Sequence, residues 1–281
     1  MLEHRCTVRN CERSLELKEP DNQGAGLACS AGHHFDQAKG GYWNLTQPQD
    51  KKSLNPGDNR DAVLARHRWL QGGYTQGLVG ELRLWTERCG PKPRVLDLGC
   101  GDGSFGPWVF PDQPENFCGI DLARPAIKLA ARNWPEATWV LANADRGLPV
   151  MDESVDCIMS LFGRRPVAEM KRVLSQSGMC VVAVPAEDDL IELREVVQKR
   201  GDRRSRVDAI IQEMSSSGLT CVEQKQWRTQ VEIGPQEVED ALAMTYRARR
   251  WSEKSRIEAI GNTSVTLAAD LMLFMHDDAA Q

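Results

Sequence analysis

The chain has 281 residues, room for two domains at about 150 residues each. Its 41% hydrophobic and 27% charged residues exclude a disordered chain, and it holds no uncharged apolar run of about 18 residues that could span a membrane. A net charge of −5 excludes a uniformly basic coat for nucleic acid, though not a local basic patch. Nine cysteines are too sparse for a disulfide scaffold and read as thiols or metal ligands in a reducing compartment. The start, Met1-Leu2-Glu3-His4-Arg5-Cys6, lacks the apolar core of a secretory signal, so a cytoplasmic location is expected.

Residues 1–45 carry Cys6, Cys11, Cys29, His33 and His34. Two close ligand pairs joined by a loop suit a tetrahedral zinc ion, for which thiolates and imidazole are better donors than for magnesium or calcium. Cys6, Cys11 and Cys29 supply three ligands, and His33 and His34 compete for the fourth. Four protein ligands leave no open position, so the zinc is structural. Residues 46–90 open with the turn Asn55-Pro56-Gly57-Asp58. One helix is expected from Asp58 to Leu70, broken by Gln71-Gly72-Gly73, and a second from about Gln76 to Arg88.

Residues 91–281 alternate strand-like and helix-like segments. Strands are expected at 94–98, 116–121, 138–141, 155–161 and 179–184, with a helix opening at Pro125. Such spacing argues for an α/β fold, a mostly parallel sheet covered on both faces. The apolar run 264–275 suits a long closing strand.

The first of these strands runs into Asp97-Leu98-Gly99-Cys100-Gly101-Asp102-Gly103. Alternating glycines let a ligand approach the backbone closely. Asp121 ends the next strand, where a carboxylate can accept both hydroxyls of a ribose. No phosphate cradle or Walker lysine is present, so a ribose cofactor with a cationic tail fits best. S-adenosylmethionine is such a cofactor. The remaining cysteines read as small buried hydrophobes, and Cys100 sits too tightly in the glycine turn to serve as a nucleophile. His67 and His276 carry no partner signal. Two basic groups, Arg194 to Arg206 and Arg247 to Arg256, are either solvated helix faces or a phosphate-facing stripe.

With both constellations in view, the chain resembles the bacterial 23S rRNA guanine-N1 methyltransferases, including the macrolide-resistance enzymes. The resemblance rests on Cys29-x3-His33-x-Phe35-Asp36-x-Ala38-Lys39-x-Gly41-Tyr42-x-Asn44-Leu45 and on Asn55 to Asp58 followed by Ala65-Arg66-x3-Leu70-x2-Gly73. It continues through Arg94 to Gly103, Gly119-Ile120-Asp121, Pro125 to Ala131 and a degraded Met244-Thr245-x-Arg247. It implies a zinc-binding domain at 1–45 that helps recognise rRNA, a helical linker at 46–90 and a Rossmann-like class I methyltransferase domain at 91–281. It also implies a homodimer that grips 23S rRNA.

By the same resemblance the metal ligands are Cys6, Cys11, Cys29 and His33. The cofactor residues are Gly99, Gly101, Asp102, Gly103 and Asp121, with Asn143 near the adenine. Three departures stand out. Thr75 replaces a linker tyrosine, with Tyr74 one position before it. Asp189 replaces a histidine. Phe162-Gly163-Arg164-Arg165-Pro166 replaces a short apolar-proline turn beside the target-base pocket, where the two arginines could alter the substrate or hold a phosphate. The expected reaction is methyl transfer to N1 of a guanine in a 23S rRNA hairpin loop. Its base is unassigned, with Asp102 and Asp189 both within consideration. The competing readings are a small-molecule methyltransferase and a zinc-dependent rRNA binder whose methyltransferase site has lapsed.

Overall fold

The computed structural model describes residues 2–21, 24–52, 57–198, 205–244 and 261–279. A small antiparallel sheet takes β1 (His4–Arg5), β2 (Ser14–Asp21), β3 (Gly24–Ala28) and β4 (His34–Asp36) in that spatial order. The large sheet begins with β5 (Trp43–Asn44) and continues with β6 (Val95–Leu98), β7 (Phe117–Asp121), β8 (Thr138–Leu141) and β9 (Val155–Leu161). It is completed by β10 (Leu174–Pro185), β11 (Leu219–Ile233) and β12 (Thr263–His276). The spatial order is β11-β12-β10-β9-β6-β7-β8-β5. β5 to β10 pair in parallel, and β12 lies antiparallel to both β10 and β11.

Alternation along the strands explains why both faces are covered. Val95, Cys157, Met159, Val181, Leu271 and Leu273 enter one buried cluster. Their neighbours Leu96, Ile158, Cys180, Val182, Met272 and Phe274 enter the other. A period of two splits one continuous apolar run between two cores, which only a sheet sandwiched between layers requires. On the first face lie α2 (Gln76–Thr86), α4 (Arg124–Asn133) and α8 (Pro235–Met244), through Leu82, Ile127 and Val238. On the second lie α5 (Val167–Val173) and α7 (Val207–Ser215), through Met170 and Met214.

The apolar run near the end forms β12, but it does not close the sheet. Its residues are buried on both faces, so it belongs inside, between β10 and β11. The edge goes to β11, whose Glu223, Lys225 and Arg228 suit solvent. That long, charge-rich strand is one the sequence pattern did not mark.

The two expected linker helices are α1 (Arg60–Gln71) and α2. Asn59 caps α1 by accepting from the Ala62 N–H at 2.9 Å, and Gly73, at φ +78°, turns the chain after it.

The small sheet does not hang free. β5 pairs with β8, Arg5 donates to the Pro149 carbonyl at 3.1 Å, and Met151 donates to the Glu3 carbonyl at 2.9 Å. Leu27 and Phe35 of the small sheet share one buried cluster with Leu148 and Val150. None of the described helices is long and apolar enough to cross a membrane.

Candidate active site and metal centre

The metal centre forms where two turns of the small sheet meet. The ligand atoms of Cys6, Cys11, Cys29 and His33 all lie within 4.8 Å of one another. His33 Nδ1 is 3.4 Å from both Cys6 Sγ and Cys29 Sγ, and Cys11 Sγ is 3.7 Å from Cys29 Sγ. His34 points elsewhere, bonded to Asp36 at 2.9 Å on the surface, so geometry chooses His33 for the fourth position. Without a metal the thiols compete. Burial works against the Cys29 thiolate, but hydrogen bonds from the Ala31 and His33 backbone and from its cysteine neighbours bring it down to about 6. Burial and the neighbouring thiols push Cys6 up to about 12. A zinc ion fits this set: three thiols and one imidazole, preassembled, with thiolate character already induced at one of them.

The second centre lies at the carboxyl edge of the large sheet, where β6 gives way to α3 (Phe105–Val109). Gly99, Gly101 and Gly103 hold φ of +70°, +58° and +75°, which L side chains rarely adopt. Gly103 also packs. A Cβ there would meet the Trp139 ring and lie 2.8 Å from Ala130 Cβ. Gly106, which sequence reading passed over, plays the same part against Trp134 and Phe117. These glycines bring the start of α3 onto the sheet and leave the turn's backbone open near Gly101.

Three carboxylates surround the turn. Asp121 accepts from the Gly101 N–H at 2.9 Å and from the Ala123 N–H at 2.7 Å. Asp102 accepts from Ser104 Oγ at 2.6 Å and lies 2.6 Å from His67 Nδ1. Asp97 is 2% exposed within β6. Burial, and then the charges of Asp121 and Asp102, push its carboxyl up to about 8. Burial raises Asp121 as well, against the two N–H groups that favour its charged form. The turn therefore crowds three carboxyl groups, and Asp97 keeps its proton for want of a cation beside it. A ligand with a ribose, an ammonium and a sulfonium supplies both the hydroxyls and the positive charge it lacks, so S-adenosylmethionine fits.

α1 forms one wall. Arg66 pairs with Asp58 at 2.8 Å and its side chain passes 3.8 Å from the Cβ position at Gly101. His67 reaches Asp102, and Arg68 forms a two-pronged pair with Asp240 of α8 at 2.5 and 3.0 Å. His67 thus has a partner that sequence reading did not find, since 35 residues separate them. His276 also has one, the Leu174 carbonyl at 3.2 Å.

The remaining expected site residues fall as follows. Thr75 is 8% exposed, and its buried hydroxyl has no hydrogen-bond partner among the described residues. Tyr74 is occupied by Trp69, with ring centroids 5.1 Å apart. Asn143 donates to Asp50 at 3.0 Å and accepts from the Asp145 N–H at 3.1 Å, so it fastens the segment after the small sheet. Asp189, just beyond β10, accepts from the Ala268 N–H at 3.0 Å, and burial first of all pushes it up to about 6. Cys100 is buried and held well above the ordinary thiol range, first by burial and then by the nearby carboxylates, which makes it a poor nucleophile. Arg164 pairs with Asp145 at 2.8 Å, and Arg165 folds back on the Gly163 carbonyl at 3.2 Å. Most of both basic groups, and Thr245 and Arg247, lie outside the described residues.

Two domain models match the chain. One, described as the RlmA N-terminal zinc ribbon, covers residues 11–54, and one described as a methyltransferase domain covers residues 95–178. The chain is thus similar in its N-terminal part to the RlmA zinc ribbon and in its central part to a methyltransferase domain. It is 32% identical over 173 residues to the 23S rRNA (guanine(748)-N(1))-methyltransferase of Streptomyces fradiae, covering 59% of this chain and 60% of the relative. It is 26% identical over 284 residues to a Bacillus subtilis protein provisionally named as a 23S rRNA (guanine-N(1)-)-methyltransferase, covering 96% of each. A Micromonospora griseorubida relative, provisionally named in the same way, is 28% identical, covering 59% of this chain. The chain thus spans about 60% of the length of the Streptomyces and Micromonospora proteins. Among solved structures, a Bacillus halodurans chain assigned to the methyltransferases has a TM-score of 0.51 at 14% identity, covering 71% of this chain and 98% of its own. At that identity the likeness speaks for the fold, a class I methyltransferase sheet.

Proposed function

We propose that this zinc-ribbon methyltransferase transfers a methyl group from S-adenosylmethionine to N1 of one guanine in a 23S rRNA hairpin loop. One observation carries the reading: a four-donor zinc ribbon is built into the same core as a glycine turn ringed by carboxylates, in the order that spans the full length of the Bacillus subtilis relative. A small-molecule methyltransferase needs the turn but not the ribbon.

S-adenosylmethionine, when bound, supplies an electrophilic methyl group on a good leaving group. The chain's own work is then mainly orientation. Asp121 retains lone pairs beyond its two backbone bonds and would hold the ribose hydroxyls. Gly99, Gly101 and Gly103 would let the ligand lie against the backbone, Thr75 would offer its hydroxyl, and Asp102, joined by Asp97 once it gives up its proton, would set the negative field. Asn143, which the resemblance sets near the adenine, would border that end of the cofactor.

Guanine N1 carries a proton at neutral pH, and a base must take it. Asp102 has both oxygens engaged by Ser104 and His67. Asp189 accepts one backbone N–H at Oδ1, and a carboxyl near pH 6 is suited to accept a proton at neutral pH. Asp189 therefore takes the N1 proton in this scheme, beside the cofactor contact its position suggests. A loop guanine leaves its stack more cheaply than a paired one, which suits a hairpin substrate.

The ribbon at 1–45 contributes to rRNA recognition, residues 46–90 join it to the methyltransferase domain, and a homodimer in the cytoplasm completes the proposal. Purified protein, 23S rRNA made without modification and labelled S-adenosylmethionine provide the test. Label must appear in 1-methylguanosine after digestion to nucleosides. Label in another nucleoside, or none, rejects the assignment.

A further inference from the structure

We infer that Phe162 is the platform on which the target guanine stacks, a role that rests on the guanine methylation proposed above. Phe162 follows the last residue of β9 at the carboxyl edge, in register with the cofactor turn. β9 pairs with β6 through Met159 and Asp97, and with β10 through Leu161 and Ala183. The two turns touch: Gly163 Cα lies 3.7 Å from the Cβ position at Gly99, and the Leu98 carbonyl lies 3.2 Å from the Cβ position at Gly163.

The backbone at Phe162 is strained. Its φ is +60°, a left-handed value disfavoured for a bulky side chain, held by a 2.8 Å bond from its N–H to the Ala183 carbonyl. Such strain persists where surrounding structure imposes it, and it clusters at functional sites. The strain does not bury the ring. Phe162 is 45% exposed, the only aromatic among the exposed large apolar side chains of the described residues. On one side it meets Phe105, the first residue of α3, with centroids 6.5 Å apart. The neighbouring arginines do not compete for the same space, since Arg164 pairs with Asp145 and Arg165 bends back to Gly163. An aromatic ring, presented to solvent at the edge of the methyl-donor turn, offers an extruded purine the π-face it lost on leaving its stack.

The test compares Phe162→Ala, Phe162→Leu, Phe162→Trp and Phe162→Gly in the full chain. Three readouts are needed: 1-methylguanosine formed on unmodified 23S rRNA, S-adenosylmethionine affinity by calorimetry, and melting temperature. The inference expects turnover to fall by roughly ten- to hundredfold in the Ala and Leu variants, the size of loss a missing base–aromatic stack produces. Trp should stay near wild type, and cofactor affinity should not move. Phe162→Gly should lose turnover as Phe162→Ala does, because glycine accepts the positive φ and keeps the turn but has no ring. Full activity in Phe162→Leu overturns the inference, as does a matching loss of cofactor affinity. A wild-type chain that makes no 1-methylguanosine rejects the proposed reaction itself, and the stacking role with it.

Discussion

His67 Nδ1 lies 2.6 Å from Asp102 Oδ2, and this bond fastens the first linker helix to the cofactor turn. Asp102 is 2% exposed, and Ser104 is its other side-chain partner. With Arg66 beside Gly101 and Arg68 on Asp240, three consecutive residues of α1 reach three parts of the site wall. The helix is thereby part of the wall of the glycine turn as well as a connection to the ribbon.

Removing this bond should be felt in both stability and binding. His67→Ala leaves the Asp102 carboxylate underpaired, which costs about 1–3 kcal/mol for a buried acceptor. Denaturant unfolding should show that loss, and calorimetry should show weaker S-adenosylmethionine binding. A His67→Ala chain equal to wild type in both would mean that α1 is not coupled to the turn.

Asp97 makes stability depend on pH. Its carboxyl is pushed up to about 8 in the folded chain, by burial and then by Asp121 and Asp102. The folded state therefore keeps a proton that the unfolded state gives up near pH 4. Its contribution is fully present below about pH 4 and is lost as pH rises through about 8. The cofactor-free chain should become less stable across that window, and Asp97→Asn should flatten the decline, by at least about 1 kcal/mol at pH 8. Cofactor binding near pH 7 should release a proton, seen as a binding enthalpy that varies with buffer. A wild-type enthalpy independent of buffer would contradict this.

Metal loss should reach beyond the ribbon. Cys29→Ser, or chelation, removes the ion that joins the turns of Cys6 and Cys29. Because β5 pairs with β8 and the ribbon shares a buried cluster with Leu148 and Val150, the whole chain should melt lower, in one transition. Zinc content and calorimetric melting measure this. A methyltransferase transition that stays in place after the metal is gone would show that the two parts are independent.

Much of this molecule was legible in the sequence because its signals are local. The Cys6–Cys11 and Cys29–His33 pairs, the glycines before α3 and Asp121 at the end of β7 each sit within one turn or one strand. The linker helices were visible from the turn before the first and from the glycines between them. What escaped depends on distant pairing. Nothing near His67 announces Asp102, and only the folded chain sets Asp240 under Arg68. β11 was missed because an edge strand rich in Glu, Lys and Arg lacks a buried pattern, and β12 looked like an edge only because it comes last. The strain at Phe162 is a backbone property, invisible in a residue name.

Asp189 separates two duties by pH. If its carboxylate takes the N1 proton, Asp189→Asn should cut turnover at least about tenfold with cofactor affinity unchanged. Wild-type turnover should fall as pH drops through about 6, where Asp189 becomes protonated. A loss confined to cofactor affinity would make Asp189 a binding residue alone.

The central claim is that this chain places a methyl group on guanine N1 in 23S rRNA. A methyl there blocks Watson–Crick pairing, so reverse transcriptase halts at the modified base. The most direct measurement maps such stops, alongside nucleoside mass spectrometry, on 23S rRNA from cells lacking the gene and from cells given it back. One loop stop, with matching 1-methylguanosine, should be lost without the gene, return with the intact gene, and stay absent with an Asp121→Ala copy. An rRNA profile that is the same in all of these cells would contradict the account.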